Sequence, residues 1–176
     1  MRDAPPIEVL PRHAVTPARY DAILALCTRA YEEPFAEYLA PFGDATHVIA
    51  TVDGELVSHA MWVPRTLTHR GAPLRTAYVE AVATEPAHQR RGHATHILRA
   101  LAAAITNFDL GVLSPSDEAF YARLGWESWR GPQAVAEGDA VTPTPDEEVM
   151  ILRLPRTPPL DLDGPLVAPW RPGEVW

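Results

Sequence analysis

The chain has 176 residues, 47% of them hydrophobic and 22% charged, and a formal net charge of −8. Such a composition suits one globular domain over residues 1–176 and excludes a disordered or fibrous chain. The negative balance argues against a nucleic-acid partner, whose phosphates call for a basic face; it is what a soluble surface carries, and it is compatible with a cationic small molecule. No apolar run nears the roughly 20 residues of a membrane helix. The opening Met1-Arg2-Asp3-Ala4-Pro5-Pro6 lacks the apolar core of a secretory leader. The single cysteine, Cys27, excludes an intrachain disulfide and fits a reducing cytoplasm.

In chain order, Ile7-Glu8-Val9 reads as a short strand. Thr16-Pro17 gives an N-cap with proline at the first helical position. Tyr20, Ile23, Leu24, Cys27 and Tyr31 follow at helical spacing, which makes Cys27 a core residue. Pro34 ends that helix, and a second short helix is predicted from Phe35 to Phe42. His47–Val52 is a strand, Asp53-Gly54 a hairpin turn, and Glu55 to about Leu67 the returning strand, with Pro64 marking an edge or bulge. His69-Arg70-Gly71 turns again into a strand from Leu74 to Thr84.

After the loop Glu85–His88, Ala94, Ile97, Leu98, Leu101, Ala102 and Ile105 form the apolar face of a long helix. Leu110–Leu113 is a short buried strand. Ser114-Pro115-Ser116-Asp117 reads as a capping box with Ser114 at the N-cap, opening a helix that stops at Gly125. Trp126–Trp129 and Val149–Leu154 are the last predicted strands, and the proline-rich segment 155–176 reads as an extended tail. This order predicts an α/β fold: a mixed, mostly antiparallel sheet flanked by helices.

The segment Gln89-Arg90-Arg91-Gly92-His93-Ala94 lies between a strand and a helix. A helix N-terminus offers unpaired N–H groups and partial positive charge, so a pyrophosphate can sit there if the backbone is accessible. Gly92 and Ala94 allow close approach, and Arg90 and Arg91 add charge. By itself such a motif is also what a basic turn capping an ordinary helix looks like. His88, His93 and His96 match no standard zinc spacing, so no metal is predicted.

This loop resembles the coenzyme A pyrophosphate loop of the GNAT superfamily, Gln/Arg-x-x-Gly-x-Gly/Ala. The resemblance implies the GNAT fold and acetyl-coenzyme A as cofactor, bound by backbone N–H groups across Gln89–Thr95 and by the backbone of Val82 and Thr84 on a bulged strand. Tyr78-Val79-Glu80-Ala81-Val82-Ala83, Tyr121-Ala122-Arg123-Leu124-Gly125-Trp126, Trp129-Arg130-Gly131-Pro132, Thr144-Pro145-Asp146 and Trp170–Trp176 narrow the resemblance to the aminoglycoside 2'-N-acetyltransferases. Members of that family often pair, which extends to a homodimer here.

The resemblance also implies roles. Glu80 is the general base that frees the acceptor amine, acting through water. Tyr121 protonates the departing thiolate, and Ser114 assists or touches substrate. The N–H of Val82 holds the carbonyl oxygen as it gains charge. The acceptor is bound by acids and by the tail: Glu33, Glu37, Glu80, Ala81, Asp146, Glu147 and Trp176.

One stretch departs from the family pattern. The early helical region, where the family places acceptor-binding aspartates, reads Glu32-Glu33-Pro34-Phe35-Ala36-Glu37-Tyr38. Fewer matched acids point to a less polycationic acceptor, so a kasugamycin-type aminoglycoside stands beside the deoxystreptamine drugs. Arg65, Arg70, His13, His47 and His59 are the cations that could meet an anionic group on it. The alternatives are acetylation of another small amine or a peptide N-terminus, and a non-catalytic protein that binds acetyl-coenzyme A or the drug.

Overall fold

In the computed structural model, residues 5–176 are described. They sort into two compact units, residues up to Val63 with Val79–Ala104, and Pro64–Tyr78 with Ile105–Trp176. Two long strands, β3 (Glu55–His69) and β4 (Ala72–Thr84), run from one into the other.

The first unit opens with β1 (Ile7–Pro11) and the helix α1 (Pro17–Tyr31). Thr16 caps α1, its hydroxyl accepting from the Arg19 N–H at 3.3 Å, and Pro17 stands at the first position as predicted. The helix ends at Glu32, in left-handed backbone with φ 58°, two residues before Pro34. The short α2 (Ala36–Leu39) follows. Strand β2 (Thr46–Val52) pairs antiparallel with β1 and with β3, and Asp53-Gly54 makes the β2–β3 turn with both residues at positive φ. Helix α3 (His93–Ala104) buries Ile97, Leu98 and Leu101 and packs on β1 and β2. Opposite charges tie the periphery: Arg19 to Glu8, and Arg29 to Glu85. Ile23, Leu26, Cys27, Ile49 and Met61 complete this core, each fully or nearly fully buried and each worth about 1.5–3 kcal/mol if large and aliphatic.

The second unit adds β5 (Leu110–Leu113), α4 (Glu118–Ala122), β6 (Glu127–Ser128), the hairpin β7 (Gln133–Glu137) and β8 (Ala140–Pro143), β9 (Met150–Arg153) and β10 (Leu166–Pro169). Strand β4 pairs parallel with β5 at Thr76–Tyr78, and β5 pairs antiparallel with β9. At the other side β10 pairs antiparallel with β3 through His69 and Thr68, and parallel with β7. The mixed, mostly antiparallel α/β layout is the predicted one.

Two local expectations are corrected. Ser114 is not the N-cap of α4. Asp117 is, its carboxylate accepting from the Phe120 N–H at 3.0 Å. Asp117 directly precedes the first helical residue, Glu118, whereas the Ser114 hydroxyl lies 3.3 Å from that of Tyr78. The segment 155–176 is not simply an extended tail, because it contains β10. Pro64 lies just past Trp62, the last β3 residue paired with β2, which is the edge position expected of it.

Candidate active site

The C-terminal half of β4 carries the first part of the site. Glu80 is 7% exposed, and its carboxylate accepts a short hydrogen bond from the Tyr38 hydroxyl. Ala81, the next residue, has φ 51° in the middle of the strand. A non-glycine residue in left-handed backbone costs of order 1 kcal/mol and interrupts the pleat. The family resemblance implies a bulge on this strand, and Ala81 is the residue at which its backbone leaves extended geometry.

From that point each carbonyl along the strand accepts from a side chain. The ring Nδ1 of His59 lies 2.8 Å from the Ala81 carbonyl. The Tyr31 hydroxyl donates to Val82 at 2.9 Å. The Ser58 hydroxyl donates to Ala83 at 3.0 Å and lies 2.9 Å from the Thr84 hydroxyl. The Gln89 amide reaches the Thr84 carbonyl at 3.4 Å. Tyr31, Phe35, Tyr38 and Phe42 form a run of rings with successive centroids 4.7, 4.7 and 5.7 Å apart. These rings hold the two hydroxyls that reach β4.

Behind the bulge lie two buried histidines. His47 Nδ1 is 2.9 Å from His59 Nε2. Burial, then the charge of Arg12, pushes the His47 pKa down to about 4. Burial and His47 push that of His59 down to about 3 against the opposing bond to Ala81. Cys27 packs beside them, its thiol pushed up to about 12 by burial.

The loop that follows places Gln89 in extended backbone, Arg90 at φ 59° and Gly92 at φ 85°. A Cβ on Gly92 would meet nothing within 4 Å, so its glycine serves the backbone angle and leaves the approach open. The first intrahelical bond of α3 runs from the His96 N–H to the Gly92 carbonyl at 3.1 Å. The N–H groups of His93, Ala94 and Thr95 precede it and face outward from the helix end. Arg90 and Arg91 are exposed there. These donors and charges fit a pyrophosphate. Beside the loop is a cavity of about 680 Å³ that includes Thr51–Gly54, His88, Arg91, His93 and His96 in its lining. Burial, then its histidine and arginine neighbours, lowers the His93 pKa.

The second unit holds the other predicted residues. Tyr121 is buried, with its phenol pushed up to about 12 by burial and then by Asp117. Ser114 is exposed, with its hydroxyl 3.3 Å from that of Tyr78. The Tyr78 ring lies under the guanidinium groups of Arg65 and Arg171, 4.7 and 5.1 Å from its centroid. Arg65 also donates to the carbonyls of Val175 at 2.6 Å and Pro169 at 2.8 Å. Trp176 is buried and its indole N–H donates to the Thr144 hydroxyl at 2.9 Å. Asp146, Glu147 and Glu148 are exposed just after Thr144.

Several expectations change. Glu33 and Glu37 are exposed, and the α2 side chain that reaches Glu80 is Tyr38. Four of the five cations proposed to meet an anionic acceptor have partners elsewhere: His59 at Ala81, His47 at His59, Arg65 at the tail carbonyls, and Arg70 at Asp161. Tyr31, Tyr38 and Arg171 were missed as site residues, and the histidine pair was expected at the acceptor rather than against β4. Only Tyr38 carried a local signal, its place beside Glu37 in the early segment.

A family model described as an acetyltransferase (GNAT) domain matches residues 13–129. The chain therefore belongs to the GNAT acetyltransferases and uses acetyl-coenzyme A. Within that class it belongs with the aminoglycoside 2'-N-acetyltransferases, being 36% identical over 137 residues to the enzyme of that name from Mycolicibacterium fortuitum, 74% of this chain and 70% of that one. Among solved structures it is similar in fold to the GNAT family N-acetyltransferase YhbS from Escherichia coli in complex with coenzyme A, with a TM-score of 0.67 at 16% identity over 96% of this chain and 92% of that one. It is also similar to Eis1 from Mycobacterium abscessus, with a TM-score of 0.59 at 22% identity over 69% of this chain; the match spans about a third, 32%, of that protein's length.

Proposed function

We propose that this acetyltransferase moves the acetyl group of acetyl-coenzyme A to the 2'-amino group of an aminoglycoside, of deoxystreptamine or kasugamycin type, and so confers resistance in the cytoplasm. Buried Glu80, held by the Tyr38 hydroxyl beside the bulge at Ala81, is the observation that carries the reading. A carboxylate kept inside a strand costs desolvation, and that cost is repaid where its charge is used.

Acetyl-coenzyme A supplies the activated acetyl group. Glu80 takes the proton from the acceptor ammonium through water, leaving a lone pair for attack. As the new C–N bond forms and the C–S bond breaks, the Val82 N–H stabilises charge on the carbonyl oxygen. Tyr121, protonated across the working range, gives its proton to the thiolate and regains one from water, to which the new amide nitrogen loses its second proton, while Glu80 returns the first to solvent. Ser114 touches the substrate or steadies that transfer. Gln89–Thr95 bind the pyrophosphate and the backbone of Val82 and Thr84 the pantetheine. Asp146, Glu147, Glu33 and Glu37 attract the acceptor's ammonium groups, and Trp176 closes the acceptor side.

The test is thiol release from acetyl-coenzyme A with kasugamycin, gentamicin and tobramycin, and with a polyamine and a peptide N-terminus as competing amines. Turnover of at least one aminoglycoside, lost in Glu80→Gln, is expected. Turnover confined to the polyamine or the peptide would overturn the acceptor class. Drug resistance in cells that survives Glu80→Gln would instead show sequestration. Fast acetylation of gentamicin and tobramycin with none of kasugamycin removes the kasugamycin branch.

A further inference from the structure

The peptide joining Ala81 to Val82 is the one whose N–H is assigned to the reacting carbonyl. In a trans peptide the C=O and N–H point in opposite directions, and the described chain has no cis bond. Whatever grips the Ala81 carbonyl therefore fixes where the Val82 N–H aims. The grip is His59 Nδ1, 2.8 Å away and fully buried.

A carbonyl can only accept, so His59 must carry its proton on Nδ1. Its Nε2 is then a lone pair and must accept from His47 Nδ1, 2.9 Å away. The two rings thus form a one-way chain: His47 donates to His59, His59 donates to Ala81. His47 Nε2 ends it as a buried atom with no hydrogen-bond partner. Burial keeps both rings neutral, as this order requires.

We infer that His59, set in its Nδ1–H form by the Ala81 carbonyl and braced at Nε2 by His47, is a positioning residue that holds the Ala81–Val82 peptide plane so that the Val82 N–H faces the reacting carbonyl. The inference rests on the roles proposed for Val82 and Glu80 and extends them to two residues outside the reacting atoms. A donor on the Ala81 carbonyl also polarises the peptide and strengthens its N–H as a donor. Ala81 needs such a hold, because its φ of 51° is not one an alanine keeps unaided.

The test compares His59→Asn, His59→Leu, His47→Leu and Glu80→Gln, using whichever amine of the panel turns over. The asparagine amide nitrogen sits where Nδ1 does and keeps the bond. Expected is kcat within about 3-fold of the parent for His59→Asn and a loss of about 10- to 100-fold for His59→Leu, with KM for acetyl-coenzyme A little changed. His47→Leu removes the brace on Nε2 and lets the ring swing off the Ala81 carbonyl, so kcat falls several-fold and nitrogen-15 NMR of labelled histidine shows His59 changing from a pure Nδ1–H form to a mixture. If His59→Leu does not fold, the His47→Leu pair of readings decides alone. Unchanged kcat in both leucine variants, or parallel losses of kcat and melting temperature in His59→Asn and His59→Leu, overturns the inference. The underlying reading fails separately, through a Glu80→Gln variant that keeps its kcat.

Discussion

Gly131 sits in the Trp129-Arg130-Gly131-Pro132 stretch that the family resemblance singled out, and the structure gives a steric reason for it. A Cβ there would lie 1.9 Å from the Gly164 carbonyl oxygen and 2.6 Å from the Asp163 carbonyl carbon, both backbone atoms. The gap would have to open by more than 1 Å even to reach 3.0 Å, below which real Cβ contacts are essentially unknown. The segment 161–164 would have to move away. It is held by the N–H groups of Arg130 and Gly131 on the Leu162 carbonyl at 2.9 and 2.8 Å, and by the Trp129 indole on Gly164 at 3.0 Å. Losing or lengthening these mostly buried bonds costs about 1 kcal/mol each, more where a group is left unsatisfied. Gly131→Ala is therefore expected to lose about 3–5 kcal/mol, at the upper end for a single substitution. For a chain of this size that lowers Tm by roughly 6–20 °C. Thermal unfolding followed by circular dichroism measures it. Gly43→Ala is the control, since nothing lies within 4 Å of its Cβ position. A Gly131→Ala variant melting within about 2 °C of the parent would refute the close approach and the reason given for the motif.

Two further outcomes follow. Tyr121→Phe removes the proposed thiolate acid and should lower kcat about 100-fold or more with KM for acetyl-coenzyme A little changed; since its pKa is about 12, the parent's rate should show no fall from tyrosine ionisation below about pH 10, and a loss under 3-fold in Tyr121→Phe would remove the role. The histidine pair should make the fold acid-sensitive: both folded pKa values lie below the ordinary 6.5, at about 4 and 3, so the unfolded chain binds the extra protons, the stabilisation is present above about pH 6.5, and on the order of 3 kcal/mol is lost as pH falls from there toward 4. That figure is for each ring, so the pair together loses about twice as much; urea unfolding at stepped pH reads this, and a curve flat from pH 7 to 4.5 would contradict it.

What could be read from the sequence was what local chemistry dictates. Thr16-Pro17 started a helix and Asp53-Gly54 turned a hairpin because those residues act through their own backbone angles. The loop from Gln89 to Ala94 was legible for the same reason. The β7–β8 hairpin was missed although Gly138 has φ 60° at its turn, because the flanking Gln133–Glu137 and Ala140–Pro143 alternate too weakly to read as strands. Strand β10 was missed because its partners are distant: Leu166 pairs with Gln133 on one side and His69 on the other. Nothing in Ala81 announces a positive φ. That angle is held from elsewhere, by His59 from a different strand. Glu80 was found as a carboxylate in an apolar strand, whereas Tyr38, 42 residues away, could not be assigned to it without the fold.

The distribution of these partners bears on how the cofactor and the acceptor are aligned. Between Ala81 and Thr84 four successive carbonyls accept from His59, Tyr31, Ser58 and Gln89, side chains drawn from β3, α1 and the pyrophosphate loop. A regular strand is positioned by its neighbours' backbones and shares their register. This one is also positioned by individual side chains, so its backbone can leave the pleat at Ala81 and still be rigid. Gln89 ties the loop directly to the strand's last carbonyl. The loop proposed for the pyrophosphate, the N–H proposed for the oxyanion and Glu80, the proposed base, then lie along one continuous length of chain. A cofactor seated at Gly92 is thereby measured off against Glu80 by about a dozen residues of fixed backbone. Precision of that kind is what an amine–thioester reaction needs, because effective molarity falls steeply once the reacting atoms drift by an ångström. The early acids can vary, as Glu33 and Glu37 do here, without disturbing that alignment, since the residue that α2 sends to the base is Tyr38.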